Sequence, residues 1–353
     1  MLSAQTEVEV VRPEPVMLTS LPLSTVVNSI GVGDVSKIRI HYGEYKALGG
    51  KLESGVQRVV DGSIITRFDK TPFPEKQTDV VCPHFLELKW ANGCNFDCAW
   101  CYLNGTLRFR PMKKKPYLKD TEKILKHVKA FLEKVETPSL LNSGELSDSL
   151  VYEGTADALT NDILTLFKAQ SKHKLLLVTK SPNVKALLEA NAQDVVVVSF
   201  SINAYPISDR WEHNTPSPKA RLDAAKKLHD TGYEVRLRID PIVPIEGYES
   251  MYCELVDEIF KRFTPERITL GSLRGLRSTI NNCHDKTWTE FLDDSSNWGK
   301  KISFEKRRDS YRVIISYLKE KYGYESVGIC KDTIEMWDAL GMGYKNIVCN
   351  CLI

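Results

Sequence analysis

Cys94, Cys98 and Cys101 fall inside eight consecutive positions of the stretch GCNFDCAWCYLNG, residues 93–105, in the spacing C-x3-C-x2-C. Three thiolates on so tight a loop can reach three corner irons of one cubane cluster. A [4Fe–4S] cluster usually takes four cysteines, so a local set of three leaves one iron open to a substrate or cofactor. Zinc is the alternative. Structural zinc asks for four closed ligands, commonly from paired C-x2-C spacings; Cys82 or His84 is near enough in sequence to be a fourth, but the three-and-two spacing is not the usual one. A third option is a set of buried, unligated thiols.

The chain holds nine cysteines, an odd number with three bunched together. Secreted chains use even numbers spread out as staples, so this usage indicates a reducing compartment and a cytoplasmic protein. The start, MLSAQTEVEVVRPEPV, is acidic and broken by prolines, unlike a secretory signal. No apolar run approaches the length needed to span a bilayer. A net charge of +2, with 42% hydrophobic and 27% charged residues, describes an ordinary soluble chain with no global pull toward nucleic acid or membrane.

What must position the cysteines is a rhythm that begins at residue 85. FLELKW (85–90), SLLNSG (139–144), KLLLVTK (174–180), DVVVVSFSI (194–202), EVRLRIDPI (234–242) and RITLGSL (267–273) predict buried strands. Helical spacing lies between them. Ile124, Val128, Phe131 and Val135 share one stripe, and Leu159, Ile163 and Leu166 another. Ser217-Pro218 reads as a cap and first-turn proline. Two more helices are expected near 250–263 and 304–322. Strand alternating with helix predicts an α/β fold with parallel strands, a partial (β/α)6 TIM-like barrel, with an open doubly wound sheet as the competing topology. Barrel chemistry gathers at the strands' C-terminal ends, and the cysteine run follows the first strand. Residues 1–80 are proline- and glycine-bearing and read as a small appended region, partly disordered at its start. Residues 81–332 form the barrel and 333–353 a closing tail.

With these residues in view, the chain resembles a known family. C-x3-C-x-(aromatic)-C is the signature of radical SAM enzymes, and CAWCYLNGTL is similar to the cluster loop of spore photoproduct lyases. LVTKSPNV, FSINA, NTPSPKARLDAAKKLHDTGY, PIVPIEGYESMY and WGKKISFEKRRDSYRVIISYL match in the same order, so the likeness covers about residues 84–325. The resemblance implies that Cys94, Cys98 and Cys101 hold a [4Fe–4S] cluster whose open iron chelates S-adenosylmethionine. Reductive cleavage would give a 5′-deoxyadenosyl radical that takes a hydrogen from the substrate. It implies a lyase that breaks or rearranges a carbon–carbon bond, of the DNA-repair type, served by a reducing partner such as flavodoxin or ferredoxin.

Site residues follow from the same matches. Tyr102 follows the last cluster cysteine and would lie near the cofactor. Ser143-Gly144-Glu145 ends the second strand, where many radical SAM enzymes meet the cofactor's amino group, and Asp148 is the rival carboxylate. Lys180 matches the lysine of VTK and would hold the cofactor's carboxylate. Ser201 and Asn203 in FSINA would bond its ribose or carboxylate, with Arg221 behind them. Asp240 stands where the family has an alanine-like residue; it is either particular to this chain or a structural strand-end carboxylate.

One departure bears on the reaction. Spore photoproduct lyases carry a hydrogen-donor cysteine after the second strand, in A-C-T-S-D; the stretch here is LLNSGELSD. The tail, TIEMWDALGMGYKNIVCNCLI, extends about twenty residues past the lyases' usual end and contains Cys349 and Cys351. These either supply the missing donor, bind a second metal centre with Cys330, or are inert.

The substrate expectation is a nucleobase in nucleic acid or a free modified base. The alternatives are another small molecule or a peptide, and a non-catalytic iron–sulfur or zinc protein. Arg108, Arg110, Lys113, Lys114 and Lys115 follow the cluster loop and can meet phosphates. Trp211, Trp288 and Trp298 are candidates to stack on a flipped base. His84, His213 and His284 have no metal-like spacing.

Overall fold

In a computed structural model the described residues are 31–68 and 71–353; the expected disorder at the start of the appended region lies outside them. Ten strands form one sheet: β1 Ile40–Lys46, β2 Leu52–Val59, β3 Ile65–Phe68, β4 Phe85–Leu88, β5 Leu140–Asn142, β6 Lys174–Thr179, β7 Val196–Ile202, β8 Glu234–Ile242, β9 Ile268–Ser272 and β10 Val327–Ile329. Spatial order follows chain order throughout. A doubly wound sheet must reverse direction somewhere, so the competing topology is excluded. β4 to β10 are parallel, each to the next.

A main crossover helix lies between the members of each parallel pair, with shorter helices beside it in three of them: α1 Thr121–Lys134, α2 Thr160–Lys168, α3 Lys185–Ala190, α4 Pro218–Asp230, α5 Tyr248–Phe260 and α6 Phe304–Tyr322. Local chemistry starts them as expected. Asp120 Oδ1 accepts from Lys123 N at 2.7 Å ahead of α1, and Ser217 Oγ accepts from Ala220 N at 3.2 Å ahead of α4. Six strand–helix units thus form the partial barrel, and β10 adds a seventh parallel strand. The antiparallel strands β1 to β3 attach to β4, so residues 40–68 extend the barrel's sheet.

Alternation along the strands sorts the core into two parts. Leu141, Leu175, Leu177, Val196 and Val198 pack outward into the main core with the helices. Leu140, Leu176 and Val197 form a separate cluster on the other face, with Val178 against it. Further along the same inward-facing register stand polar residues: Lys180 directly after β6, Ser199 and Ser201 on β7, Arg238 and Asp240 on β8, Thr269 on β9.

The tail enters beneath these groups. Asn350 Nδ2 donates to Ser199 Oγ at 2.8 Å and to Leu237 O at 2.9 Å, while Thr269 Oγ1 donates to Asn350 Oδ1 at 2.7 Å. Arg267 Nη1 donates to Cys349 O at 2.8 Å and Arg236 Nη1 to Asn350 O at 3.1 Å. Close approach requires Gly328 on β10: a Cβ there would stand 2.0 Å from Val348 O. The two edges of the parallel array are also joined. Val80 and Thr333 form an antiparallel bridge, and Val81 N donates to Asp332 O at 2.8 Å. No helix among the described residues is long and apolar enough to cross a membrane.

Candidate active site

The cysteine loop leaves β4 and is pinned from two sides. Cys94 N donates to Lys114 O at 2.9 Å, which ties it to the basic run. Ala99 N donates to Trp211 O at 2.8 Å, and Asp97-Cys98 pairs antiparallel with Glu212-His213. Cys101 N donates to Cys98 O at 3.1 Å, closing the turn before the short helix Leu103–Thr106. Cys98 is buried, and Cys94 and Cys101 are half-buried. Burial pushes the Cys94 and Cys98 thiols up to about 12, so their protons stay until something displaces them.

Cys98 and Cys101 open onto a cavity of about 360 Å³ at the C-terminal ends of the strands. Of the residues singled out from sequence, Tyr102, Gly144, Glu145, Lys180, Ser201, Asp240 and Cys351 share that lining. Lys180 Nζ lies 3.6 Å from the buried carboxylate of Glu212, which Arg221 Nη1 meets from the other side at 2.6 Å. Burial opposes charge at Lys180, but Glu212 keeps the ammonium protonated above its ordinary range. Asp240 pairs with Arg274 through two hydrogen bonds, 3.0 Å and 2.8 Å, and against the cost of burial this pairing keeps its carboxyl below the usual range. Gly271 leaves room for that pair, since a Cβ there would stand 2.4 Å from Asp240 Cγ.

Other expected residues face the protein. Ser143 Oγ donates to Leu176 O at 3.0 Å and bonds Ser149 Oγ. Asp148 accepts from Thr179 Oγ1, Lys180 N and Leu150 N, fixing the end of β6 from behind. Asn203 Nδ2 donates to Pro241 O at 2.8 Å, and its oxygen accepts from Ala204 N and Tyr252 Oη. Arg221 is fully buried and spends its donors on Glu212, Pro216 O, Ser201 O and Thr215 Oγ1. Cys349 is buried behind Cys351. Trp211 and Trp288 are fully buried core residues and have no face to offer a base. Trp298 does line the cavity, with Lys331 Nζ 3.8 Å above its ring.

Sequence patterns missed several lining residues. Phe68, Phe85, Glu87, Arg238, Arg274 and Lys331 come from separate segments, and Cys82 and Cys330, singled out from sequence only as possible metal ligands, line the cavity as well. Arg238 alone carried a signal, as a charge at an inward position of the alternating run EVRLRID. Along the basic run, Arg108, Lys113 and Lys115 are exposed, and Phe109 beside them is 82% exposed; Lys114 is tied to Asp97 at 2.8 Å.

As arranged, no three histidine, cysteine or carboxylate side chains among the described residues converge closely enough to hold a metal ion. In donor chemistry and position the loop cysteines nonetheless fit a cluster. They are free thiols on one short loop beside a cavity, and Lys180 lies in electrostatic reach of Cys98 and Cys101 as counter-charge.

A family model described as spore photoproduct lyase matches residues 85–272. The spore photoproduct lyase of a Geobacillus species is 28% identical over 187 residues, 52% of this chain and 52% of that protein. The chain spans about half the length of the curated relatives it matches. A solved spore photoproduct lyase complexed with dinucleoside spore photoproduct superposes with a TM-score of 0.59 at 20% identity, covering 69% of this chain and 75% of that one. A double mutant of spore photoproduct lyase with AdoMet and dinucleoside spore photoproduct bound gives 0.59 at 19% identity, covering 70% and 76%. At these identities the structures share the fold.

Proposed function

This chain belongs to the spore photoproduct lyase family, and from that membership we propose that it is a radical SAM enzyme acting on a nucleobase, in nucleic acid or as a free modified base. One observation carries the reading: Cys98 and Cys101 of the three-cysteine loop open onto the same cavity as Glu145, Lys180 and Ser201. Residues 81–332 serve as the catalytic barrel and 333–353 as its closing tail.

In this reading Cys94, Cys98 and Cys101 hold a [4Fe–4S] cluster, which when bound supplies reductive cleavage of S-adenosylmethionine to a hydrogen-abstracting radical. The chain does the rest. Lys180, kept charged by Glu212, pairs with the carboxylate of the methionine moiety. Glu145 accepts from its amino group, and Ser201 bonds the ribose. Phe68, Phe85 and Trp298 offer apolar and stacking surface to a base, and Tyr102, 39% exposed, covers the rim against water. Asn142 Nδ2 donates to Glu145 Oε1 at 3.0 Å and aims that carboxylate.

Anaerobic reconstitution with iron and sulfide tests the proposal. The expected result is a brown protein that forms 5′-deoxyadenosine with dithionite and takes deuterium from a labelled nucleoside or base. A colourless protein holding one zinc, inert toward S-adenosylmethionine, overturns it.

A further inference from the structure

We propose that Cys82, Cys330, Cys349 and Cys351 hold a second iron–sulfur cluster at the seam of the barrel. Such a centre lies beyond the radical SAM reading and depends on a different set of thiols.

Three segments far apart in sequence bring these cysteines together. The Val80–Thr333 bridge and the Val81–Asp332 hydrogen bond place the segment before β4 beside the segment after β10, and so Cys82 beside Cys330. Anchoring of Asn350 inside the barrel, with Val348 pressed on Gly328, delivers Cys349 and Cys351 to the same place. Cys82, Cys330 and Cys351 line one end of the cavity. Cys82 lies in electrostatic reach of both others, and Cys349, buried outside the cavity lining, lies in electrostatic reach of Cys351 and Cys82. Of the nine cysteines, only Cys253 and Cys283 stand apart from this group and the cluster loop.

Three cations face these sulfurs, against burial and the nearby carboxylates of Glu145 and Asp240, which keep the Cys82, Cys330 and Cys349 thiols above their ordinary range until a metal displaces the protons. Arg238 Nη2 is 3.2 Å from Cys351 Sγ and Arg274 Nη2 is 3.7 Å from Cys330 Sγ, while Lys331 lies in reach of Cys82. Arg238 Nε is buried with no hydrogen-bond partner among the described residues. A cubane with four thiolate ligands carries net negative charge, and buried negative charge needs such partners. With four protein ligands every iron is closed, so this centre does not duplicate the S-adenosylmethionine site. As in the cluster loop, ligation requires the thiols to turn about χ1 toward a common point, and the cavity gives three of them the room.

The test counts metal in the full chain after anaerobic reconstitution. Wild type is expected to bind about eight irons per chain, and the variant Cys94→Ala/Cys98→Ala/Cys101→Ala about four, with a paramagnetic signal that appears on reduction. Adding Cys330→Ser or Cys82→Ser to that variant, each checked for native circular dichroism, is expected to abolish the remaining iron. Equal iron in wild type and triple variant would leave this proposal standing and remove the radical SAM reading. An iron-free triple variant that is folded, or one holding stoichiometric zinc, overturns the second cluster.

Discussion

Arg238 Nη2 lies 3.2 Å from the sulfur of Cys351, although the two residues are 113 positions apart. A hydrogen bond from Cys349 and the Arg238 charge hold the Cys351 thiol below the ordinary cysteine range, against the push of burial. In metal-free, reduced protein at neutral pH, Cys351 is therefore expected to react with iodoacetamide at least ~10-fold faster than Cys94 or Cys98, since the thiolate is the nucleophile. Arg238→Met should erase most of that advantage. Peptide mass spectrometry reads the comparison, and equal rates in wild type would refute it.

Glu212 sits between two cations, Arg221 at 2.6 Å and Lys180 at 3.6 Å, and all but 1% of its side chain is buried. Removing one partner of a buried pair strands the other charge, at a cost of about 3–5 kcal/mol. Glu212→Ala should lose stability of that order in urea unfolding, and Arg221→Met should lose a similar amount. A loss under about 1 kcal/mol, typical of an exposed pair, would show that the cations find water instead.

Lys301 is buried, and burial lowers its ammonium to about 8 despite the opposing charge of Asp332 at 3.7 Å. Asp332, itself buried, is nonetheless held below the carboxylate range by Lys301 and Arg307. The same neighbourhood favours the carboxylate and disfavours the ammonium because several cations crowd one anion: Arg274 and Arg307 both oppose charge at Lys301. Between about pH 8 and 10.5 the unfolded chain binds more protons at this site than the folded one, so this residue's contribution raises stability as pH rises. Below pH 8 both states are protonated and the slope vanishes. Subtracting the profile of Lys301→Met from wild type should expose an increase of about 3 kcal/mol across that window. A flat difference would mean that the ammonium titrates normally.

Arg108, Lys113 and Lys115 are exposed beside Phe109 and follow directly on the cluster loop. If nucleic acid is the substrate, changing these three residues to Gln should lower the salt slope of single-strand binding by about 0.7 for each phosphate no longer neutralised. An unchanged slope, with turnover of a free base at any salt, would point to a small substrate.

The barrel was legible in the sequence because parallel strands buried on both faces read as continuous branched runs, and each of the six expected strands is present. β10 was not, since Val327-Gly328-Ile329 is too short to carry a period. The cysteine loop stood out because its residues are close in the chain. Arg274, Cys82 and Cys330 meet the cavity only through tertiary packing, which no local spacing records. Tryptophan was ambiguous for a physical reason: a large ring serves core and ligand equally well, and only burial separates Trp211 and Trp288 from Trp298.

Asn350 also bears on vectorial synthesis. Ser199 and Thr269 leave the ribosome long before the residue that satisfies them. Until then the nascent tube is floorless and its inward hydroxyls stay wet, so the interior is sealed only after all ten strands of the sheet have been made. Helices and outer strands can associate during elongation before that closure.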